Sequence, residues 1–338
     1  MVTIKDIAKA ANVSVTTVSR ALNGYDDVNE KTRRRIKEVA EKMQYSPNMT
    51  ARRLVTNKSS TIGLLTSSSF PSNPKDTFTM DVISGVNEYA SYADYDMILF
   101  QSEFAKRRGK TYHQLCSERQ IEGVISQGLA HDEPFLQQME ESSVPCVFID
   151  HPVENETTSF VSTDNAVGAR DAVRHLTSLG HQHIAFINGD DEAYISLERL
   201  KGYKEGLKEA DIPFNEKKVR LAYFNEDEAY ARAVELLEGY PETTAIFCSS
   251  DLMAMGVMRA AQELGYKLPE ELSVVGYDNL VVSQYTTPAL TTVNQDKYKM
   301  GNMAAELLIN RLQGKETKTK VIIPGSLLVR KSTCPPRH

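Results

Sequence analysis

Residues 3–23 read TIKDIAKAANVSVTTVSRALN, and this stretch decides how the chain begins to fold. Thr3 followed by Asp6 has the spacing of a capping box, in which each of two side chains accepts from the other residue's backbone N–H at the start of a helix. Apolar residues then recur at helical spacing, which predicts a short amphipathic helix over residues 4–11. The helical pattern stops at Asn12 and restarts at Ser14, so a second helix is predicted after a tight turn.

The second helix can be capped by Ser14, and its pattern turns Val18, Ala21 and Leu22 inward. Two short helices joined by a tight turn form a helix-turn-helix, whose second helix enters the major groove of DNA. Any one hydroxyl here could simply solvate a surface helix, but the whole string favours DNA contact. The outward residues, which are the candidate DNA readers, are Val15, Thr16, Thr17, Ser19 and Arg20.

A third helix is predicted from Glu30 to Gln44, and it has two distinct faces. One face is apolar and can cover the first two helices; it carries Ile36, Val39, Ala40 and Met43. The other face is cationic, which suits contact with phosphates; it carries Lys31, Arg33, Arg34, Arg35 and Lys37.

Charge is segregated along the chain. Residues 1–60 carry 12 Lys and Arg against 6 Asp and Glu, a net charge of +6, whereas the remainder carries 27 against 39, a net charge of −12. A basic head on an acidic body should bind DNA by one end only, with an affinity that falls steeply with salt. The length of 338 residues fits one small and one large domain.

Several classes of protein are disfavoured. No apolar run is long enough to span a bilayer and the N-terminus lacks a secretory pattern, so we expect a cytoplasmic protein without a membrane partner. Common enzyme motifs are absent and His181 and His183 lack a third ligand nearby in sequence, so we expect no enzyme, no cofactor and no metal. The cysteines are far apart, which disfavours disulfides and structural zinc; they are Cys116, Cys146, Cys248 and Cys334.

From residue 61 short apolar runs alternate with helical patterns, which predicts parallel sheets covered on both faces. The runs are too many for one sheet and the pattern restarts near Thr163, so we predict two Rossmann-like lobes. The predicted strands are Ile62–Leu65, Met97–Phe100, Gly123–Ser126, Pro145–Ile149, Phe160–Ser162, Ile184–Ile187, Val219–Tyr223, Ala245–Cys248 and Ser273–Gly276.

Polar residues follow several of these runs. Ligands of such folds bind beyond the carboxyl ends of the strands, so these positions are candidates for a binding site. Carboxylates and amides suit a ligand rich in hydroxyl groups, which indicates a carbohydrate. The positions are Asp150, Asn188, Ser249-Ser250-Asp251 and Tyr277-Asp278-Asn279.

The first stretch closely resembles the DNA-binding domain of the lactose/galactose repressor (LacI/GalR) family, with its pattern T-I-x-D-I-A-x-x-A-x-V-S-x-x-T-V-S-R-x-L-N. The resemblance implies that Val15, Thr16 and Arg20 read bases, and Arg20 can pair with guanine. It also implies that a further group positions the backbone on phosphates; this group is Thr3, Ser14, Thr17, Ser19 and Asn23.

Residues 47–59 correspond to the family's hinge, which forms a short helix in the minor groove when two subunits meet on DNA. By this resemblance Leu54 wedges between the central base pairs, and such a wedge bends the duplex. The alternative is that Leu54 packs on the next domain. The residues that flank it are Asn48, Ala51, Arg52 and Arg53.

The rest of the chain resembles the family's periplasmic-binding-protein-like regulatory domain. Arg199-Leu200-Lys201-Gly202-Tyr203 is similar to R-x-x-G-[YF], residues 250–256 to N-D-x-M-A-x-G, and residues 275–279 to V-G-[FY]-D-[DN]. The resemblance implies a set of effector contacts, namely Phe78, Asp150, Arg199, Phe224, Ser250 and Asp278.

Some of these residues could instead have a purely structural role. Arg199 could be a surface arginine and Phe224 a core residue, and we interpret Asp251 as a helix cap. Ser250 replaces the family's asparagine, and the segment Ser72 to Phe78 inserts residues into the family's N-P-F-F pattern. The identity of the sugar is therefore not inherited.

The predicted fold is a small all-α helix-turn-helix domain plus an α/β two-lobed periplasmic-binding-protein-like domain with two parallel sheets. The expected domains are residues 1–46 for DNA binding, 47–59 for the hinge and 60–333 for effector binding and dimerisation. The first lobe is expected at about 60–160 and 291–320, and the second at about 161–290 and 321–330. Because the family's leucine-heptad tetramerisation helix is not seen, a homodimer is expected.

These patterns predict a repressor of sugar-utilisation genes that binds a near-palindromic operator in double-stranded DNA and is released by a carbohydrate effector. The alternatives are a carbohydrate sensor, a regulator activated by a nucleobase or a phosphoprotein corepressor, and a solute-binding protein for transport. The DNA-reading head disfavours the last, and the corepressor arginine beside the P-x-L-T segment is missing near Pro288.

Overall fold

The computed structural model describes residues 2–22, 25–45, 59–66, 75, 77–102, 109–129, 133–153 and 157–337. The chain divides into two compact units, Met1–Ser59 and Ser60–His338. In the described residues no helix combines the length and the apolar character needed to cross a membrane.

In its described residues the first unit contains three helices, α1 (Ile4–Ala10), α2 (Val15–Leu22) and α3 (Glu30–Lys42). Helix α1 ends one residue earlier than predicted because Asn12 adopts a left-handed conformation (φ 49°) and Val13 N donates to Ala8 O. Helix α3 ends two residues early for the same reason, at Gln44 (φ 50°). The three helices share one core, formed by Ile7, Ala8, Ala11, Val18, Ala21, Val28, Ile36 and Ala40.

The predicted capping interactions are present at the starts of α1 and α2. Asp6 accepts from the backbone N and the hydroxyl of Thr3, and these bonds hold the pKa of the Asp6 carboxyl below its ordinary value. Ser14 Oγ accepts from Thr17 N at 3.0 Å, which satisfies one of the unpaired donors of α2. The helix-turn-helix predicted from the sequence is therefore confirmed.

The second unit contains two six-stranded sheets, one in each lobe. In the first lobe all strands are parallel, in the order β11-β5-β4-β3-β1-β2. Its strands are β1 (Thr61–Thr66), β2 (Asp96–Gln101), β3 (Gly123–Gln127), β4 (Cys146–Ile149), β5 (Thr158–Thr163) and β11 (Lys320–Ile323).

The second lobe repeats this arrangement in the order β12-β10-β9-β8-β6-β7, with only the edge strand β12 antiparallel among these pairs. The predicted strand at Val219–Tyr223 ends early because Tyr223 and Phe224 have positive φ (50° and 55°). The strands are β6 (Ile184–Asn188), β7 (Val219–Leu221), β8 (Ala245–Cys248), β9 (Ser273–Asp278), β10 (Thr291–Asn294) and β12 (Ser326–Leu328).

Helices cover both faces of each sheet, as βα repeats require. Helices α4 and α11 cover one face of the first sheet, and α5 and α6 the other. Helices α9 and α10 cover one face of the second sheet, and α7 and α8 the other. They are α4 (Phe78–Tyr92), α5 (Tyr112–Arg119), α6 (Pro134–Glu140), α7 (Asn165–Ser178), α8 (Tyr194–Glu209), α9 (Glu226–Gly239), α10 (Asp251–Glu263) and α11 (Lys297–Leu312).

The chain passes between the lobes at three crossovers, residues 164, 295–296 and 324–325, each between a strand of one sheet and the next element of the other lobe. These positions differ from the expected lobe boundaries. Strand β10 belongs to the second sheet and β11 to the first, whereas the sequence boundaries assigned residues 291–294 to the first lobe and 321–323 to the second. The chain crosses from one lobe to the other at the end of a strand. The sequence around a short edge strand such as β11 has no helical pattern that would reveal this crossing.

The residues after β12 pack against the base of the second sheet. Ser332 O accepts from Val274 N, and Cys334 N donates to Ser273 Oγ. His181 is 2% exposed beneath this tail, and its Nε2 donates to Cys334 O at 2.9 Å. Because burial lowers the pKa of His181, the ring is neutral at neutral pH, and with Nε2 as the donor Nδ1 accepts from Thr244 Oγ1 at 2.9 Å.

Stability should fall on mild acidification because of this histidine. Burial lowers the pKa of His181, so its contribution is present above the ordinary value of 6.5 and is lost as pH falls through 6.5 towards the lowered value. We expect the free energy of unfolding, measured with urea, to decrease from about pH 7.5 to about pH 5.5. His181→Gln should flatten this decrease, although it lowers stability at neutral pH by about 1–2 kcal/mol.

The exposed His113 provides the control, since it is remote from the tail in sequence and lies on α5 of the first lobe. His113→Gln should leave the dependence on pH unchanged. A slope that is the same in the His181 variant and the unsubstituted protein would contradict the assignment.

Candidate functional site

Helix α2 presents a polar surface, which we call the reading face and define as Val15, Thr16, Thr17, Ser19 and Arg20. Val15, Thr16 and Arg20 are exposed, and Thr17 and Ser19 are half-buried. An exposed valine on a helix that buries its other side is available to contact a thymine methyl group, and Arg20 to contact guanine.

Three of the proposed phosphate contacts have their hydroxyls engaged within the first unit. Thr3 donates to Asp6 at 2.7 Å, and the hydroxyls of Ser14 and Thr17 lie 2.8 Å apart. Their backbone positions at the helix starts remain where phosphate contacts are expected. Ser19 is half-buried on α2. The remaining predicted DNA contacts lie outside the described residues, namely Asn23, Asn48, Ala51, Arg52, Arg53 and Leu54.

The cationic face of α3 is smaller than the sequence suggested. Arg33 is half-buried; it donates to Tyr25 O at 2.7 Å and lies 3.3 Å from Glu30, so it holds the preceding loop. Helical periodicity could not reveal this, because the loop carbonyls that it binds are not visible in the pattern. The other basic residues of this face are exposed, as predicted for a cationic surface; they are Lys31, Arg34, Arg35 and Lys37.

In the second unit the predicted effector residues gather where the lobes meet. Asp150 follows β4 with a positive φ of 61°, and it accepts from Ser162 Oγ at 2.6 Å. Burial raises the pKa of this carboxyl, whereas the bond from Ser162 and the charge of Arg199 lower it. Asp150 therefore lies close enough to Arg199, in the other lobe, to be affected by its charge.

Arg199 is only 1% exposed, so it is not the surface arginine of the alternative interpretation. Its Nε donates to Asn165 Oδ1 at 2.9 Å, and its Nη1 donates to Ser249 O. The guanidinium lies over the ring of Tyr277, 3.8 Å from the centroid. A buried cation needs such contacts on every side to offset its lost hydration.

Asp278 completes the charge balance. Its Oδ1 lies 3.9 Å from Arg199 Nη2 and accepts from Gln295 Nε2 at 2.6 Å. The buried Lys297 donates to the backbone O of Asp278 and lies 3.9 Å from Asp81 of the first lobe. The Asp278 carboxylate is therefore held at the second crossover by residues that follow β10.

Asn165 joins the two lobes at the first crossover. It accepts from Arg199 through Oδ1 and donates through Nδ2 to Ser162 Oγ at 3.2 Å. Since Ser162 in turn donates to Asp150, an unbroken series of hydrogen bonds connects Arg199 of the second lobe with Asp150 of the first. We call Asp150, Ser162, Asn165, Arg199 and Asp278 the interlobe site.

The structure makes Ser250, and not Asp251 as interpreted from the sequence, the cap of α10. Ser250 is the N-cap of α10, with its Oγ accepting from Met253 N at 3.1 Å. Asp251, interpreted as the cap, is fully buried and accepts from Leu280 N at 2.7 Å and from Thr292 Oγ1. Burial, with the nearby Asp278 carboxylate, raises the pKa of Asp251 to about 8. The carboxyl therefore supports the residues around the interlobe site from inside the second lobe.

The two predicted aromatic contacts differ in position. Phe224 is half-buried after β7; its ring lies over Gly189 so closely that a Cβ there would be 2.2 Å from the ring. It also packs against the core of the second lobe, so the core alternative holds for part of its surface. Phe78 begins α4 and packs, partly buried, against the core of the first lobe. The insertion that precedes Phe78 lies largely outside the described residues.

Glycines in two of the family-like motifs have a packing role. A Cβ on Gly202 would lie 2.1 Å from Ala166 O, and a Cβ on Gly256 would lie 2.1 Å from Glu226 O. Each glycine thus lets a helix contact the backbone of its neighbour, α8 on α7 and α10 on α9. This close packing fixes α8 and α10, which start at the interlobe site and carry Arg199 and Asp251.

Sequence reasoning missed Ser162, Asn165, Gln295 and Lys297 as parts of this site. The available signal was the position of Asn165 and Gln295 directly after a strand and its crossover, where polar side chains of both lobes meet. Within the described ranges, no group of three or more His, Cys, Asp or Glu side chains could hold a metal ion. The interlobe site instead presents carboxylates, an amide and a guanidinium, which together can bind hydroxyl groups.

Comparison with known sequences gives two family matches. Residues 3–48 match the profile described as "Bacterial regulatory proteins, lacI family". Residues 173–333 match the profile described as "Periplasmic binding protein-like domain".

Similarity to individual proteins extends over nearly the whole chain. The HTH-type transcriptional regulator CelR of Thermobifida fusca is 33% identical over 333 residues, 98% of each chain. The solved structure of a CelR–cellobiose complex superposes with a TM-score of 0.76 at 31% identity, covering 98% of this chain and 100% of that one. The lac repressor dimer bound to operator and the anti-inducer ONPF superposes with a TM-score of 0.80 at 28% identity, covering 98% and 99%.

Proposed function

Because the chain belongs to the LacI family of bacterial transcriptional regulators, we propose that it represses sugar-utilisation genes by binding a near-palindromic operator as a homodimer. The relatives are transcriptional regulators, not enzymes. A regulator of this kind acts where the chromosome lies, so we place it in the cytoplasm. The reading face would contact bases, and residues 47–59 would contact the minor groove.

The observation that carries the proposal is the presence, in one chain, of an exposed reading face and a buried polar site between two lobes. The first serves recognition of DNA, since α2 offers Arg20, Val15 and Thr16 to base edges. The second serves a small ligand, because buried polar side chains of both lobes meet there. Neither a transport protein nor a simple sugar sensor would need both.

A carbohydrate is the effector that this site supports. Asp150 and Asp278 can accept hydrogen bonds from sugar hydroxyls, Arg199 can donate, and Phe224 offers a ring face. The related CelR structure contains cellobiose, which makes small saccharides the first ligands to test. Ser250 would line the site by its backbone rather than as a side-chain ligand, since its hydroxyl already caps α10.

Release from the operator follows if the ligand prefers one arrangement of the lobes. A ligand can shift the equilibrium between two states only by its difference in affinity for them. Asp150 and Arg199 lie in different lobes and share a hydrogen-bond series through Asn165. A sugar that binds to both residues would therefore change how the lobes are oriented, and with them the two hinges of the dimer.

The test is a titration of the protein against labelled palindromic duplexes, with and without a panel of glucose, galactose, ribose, maltose and cellobiose. Arg20→Ala is expected to lower affinity for the preferred operator about 10- to 100-fold while affinity for unrelated DNA changes little. Arg35→Ala, a control at an exposed phosphate-facing position, should weaken both by a similar factor.

Equal preference of the Arg20 variant and the unsubstituted protein for the operator would remove the reading face from the proposal. If sugars bind but no duplex is preferred, the protein is a carbohydrate sensor of another kind. If a ligand strengthens operator binding, it acts as a corepressor, and the proposed sign of the response is reversed.

A further inference from the structure

The loop between α2 and α3 places an acidic side chain against the reading face. Asp27 binds Arg20 side-on, with Arg20 Nε donating to Asp27 Oδ1 at 3.0 Å and Arg20 Nη2 lying 2.6 Å from Asp27 Oδ2. This geometry occupies the inner edge of the guanidinium. The outer edge, formed by Nη1 and the second N–H of Nη2, points away from the carboxylate, and this is an edge that can pair with guanine O6 and N7.

The same loop supports the flat face of the guanidinium. Arg20 Cζ lies 5.0 Å from the centroid of the Tyr25 ring, within the range of a cation–π contact. Residues 25–28 of this loop are themselves fixed, because Arg33 donates to Tyr25 O and Val28 is 8% exposed in the core of the first unit. Asp27 and Tyr25 are therefore held by the fold and can in turn hold Arg20.

We propose that Asp27 is a positioning residue for base recognition, which holds the Arg20 guanidinium with its outer edge ready to bind a guanine. This inference rests on the proposed function and adds a determinant of specificity to it. An arginine side chain loses considerable conformational freedom when it is ordered at an interface. Ordering Arg20 before DNA arrives lowers that loss for the correct base pair.

Simple electrostatics predicts the opposite effect for this residue. A carboxylate close to DNA repels phosphates, so its removal should strengthen binding to every sequence. If Asp27 also positions Arg20, its removal should strengthen binding to unrelated DNA and weaken binding to the operator. The ratio of the two affinities thus separates positioning from charge.

The experiment compares Asp27→Asn with Asp26→Asn in the full-length protein. Both variants remove one negative charge from the same loop, but only Asp27 contacts Arg20. Anisotropy titrations at fixed salt would give the affinity for the preferred palindromic duplex and for a scrambled duplex of the same composition. We expect Asp27→Asn to lower the specificity ratio about 5- to 10-fold, as befits partial loss of a bidentate base contact. Asp26→Asn should leave the ratio within about 2-fold.

A double-mutant cycle shows whether Asp27 acts through Arg20. In the Arg20→Ala background, Asp27→Asn should no longer change the ratio. Thermal unfolding should be almost unaffected by Asp27→Asn, since ion pairs between side chains about half exposed contribute little to stability. A structural role would instead lower the melting temperature and spare the ratio.

The outcomes are distinct. An equal change of the ratio in the two aspartate variants, or a rise in operator affinity with Asp27→Asn, overturns the inference and leaves the proposed function intact. Absence of any sequence preference in the unsubstituted protein overturns the proposed function, and the inference with it.

Discussion

Replacing Arg199 by lysine is expected to reduce affinity for the effector at least about 100-fold and the free energy of unfolding by about 2–4 kcal/mol. Lysine keeps the positive charge but cannot reproduce the planar donors that reach Asn165 and Ser249. The acceptor oxygens of these two residues would then lose their donors in a buried site, and the Asp278 carboxylate would lose the nearby guanidinium. Both effects should therefore appear together in this single variant.

The measurements are calorimetric titration with a sugar from the panel and urea unfolding in the absence of sugar. Arg174→Lys is the matched control, because Arg174 lies on α7 of the same lobe with its side chain 58% exposed beside Glu209. It should change stability by less than about 0.5 kcal/mol. Normal effector binding in a folded Arg199→Lys protein would remove Arg199 from the site.

The second large effect is expected at Gly256. In Gly256→Ala the new methyl group would lie 2.1 Å from Glu226 O, a backbone atom that cannot rotate away. Helices α9 and α10 would have to separate, and we expect unfolding free energy to fall by about 2–4 kcal/mol, at the upper end of overpacking effects. The change should also weaken effector binding, because α10 begins beside the interlobe site.

Gly239→Ala supplies the control within the same helix pair, since no atom lies within 4 Å of a Cβ built there. Alanine at this position should be neutral or stabilise by about 0.5–1 kcal/mol, as replacement of a helical glycine generally does. Differential scanning calorimetry of both variants gives the comparison. A Gly256→Ala protein as stable as the Gly239→Ala protein would contradict the close helix contact.

Patterns that repeat along the chain were read correctly from the sequence. The spacing of Ile7, Val18 and Ile36 gave the three-helix unit, and each of the nine predicted apolar runs coincides with a strand. Such features depend on neighbours within one or two turns or on alternation of strand and helix. They are therefore visible before any tertiary contact is known.

Features that depend on distant partners were not accessible in this way. Ser250 and Asp251 are adjacent and both can cap a helix, and only the buried contacts of Asp251 with Leu280 and Thr292 decide between them. Arg33 looked like one more phosphate contact because its acceptor is a loop carbonyl. Asn165 was not recognised as part of the site, since its partners come from both lobes.

The first lobe is made of segments that are far apart in the order of synthesis. Its edge strand β11 pairs with β5, and Ser159 Oγ donates to Lys318 O across 159 positions of the chain. A ribosome must therefore pass residue 323 before β11 can complete the first sheet, and residue 328 before β12 can complete the second. Neither lobe can close its sheet until almost the whole chain has emerged, and until then the nascent first lobe keeps the β5 edge unpaired.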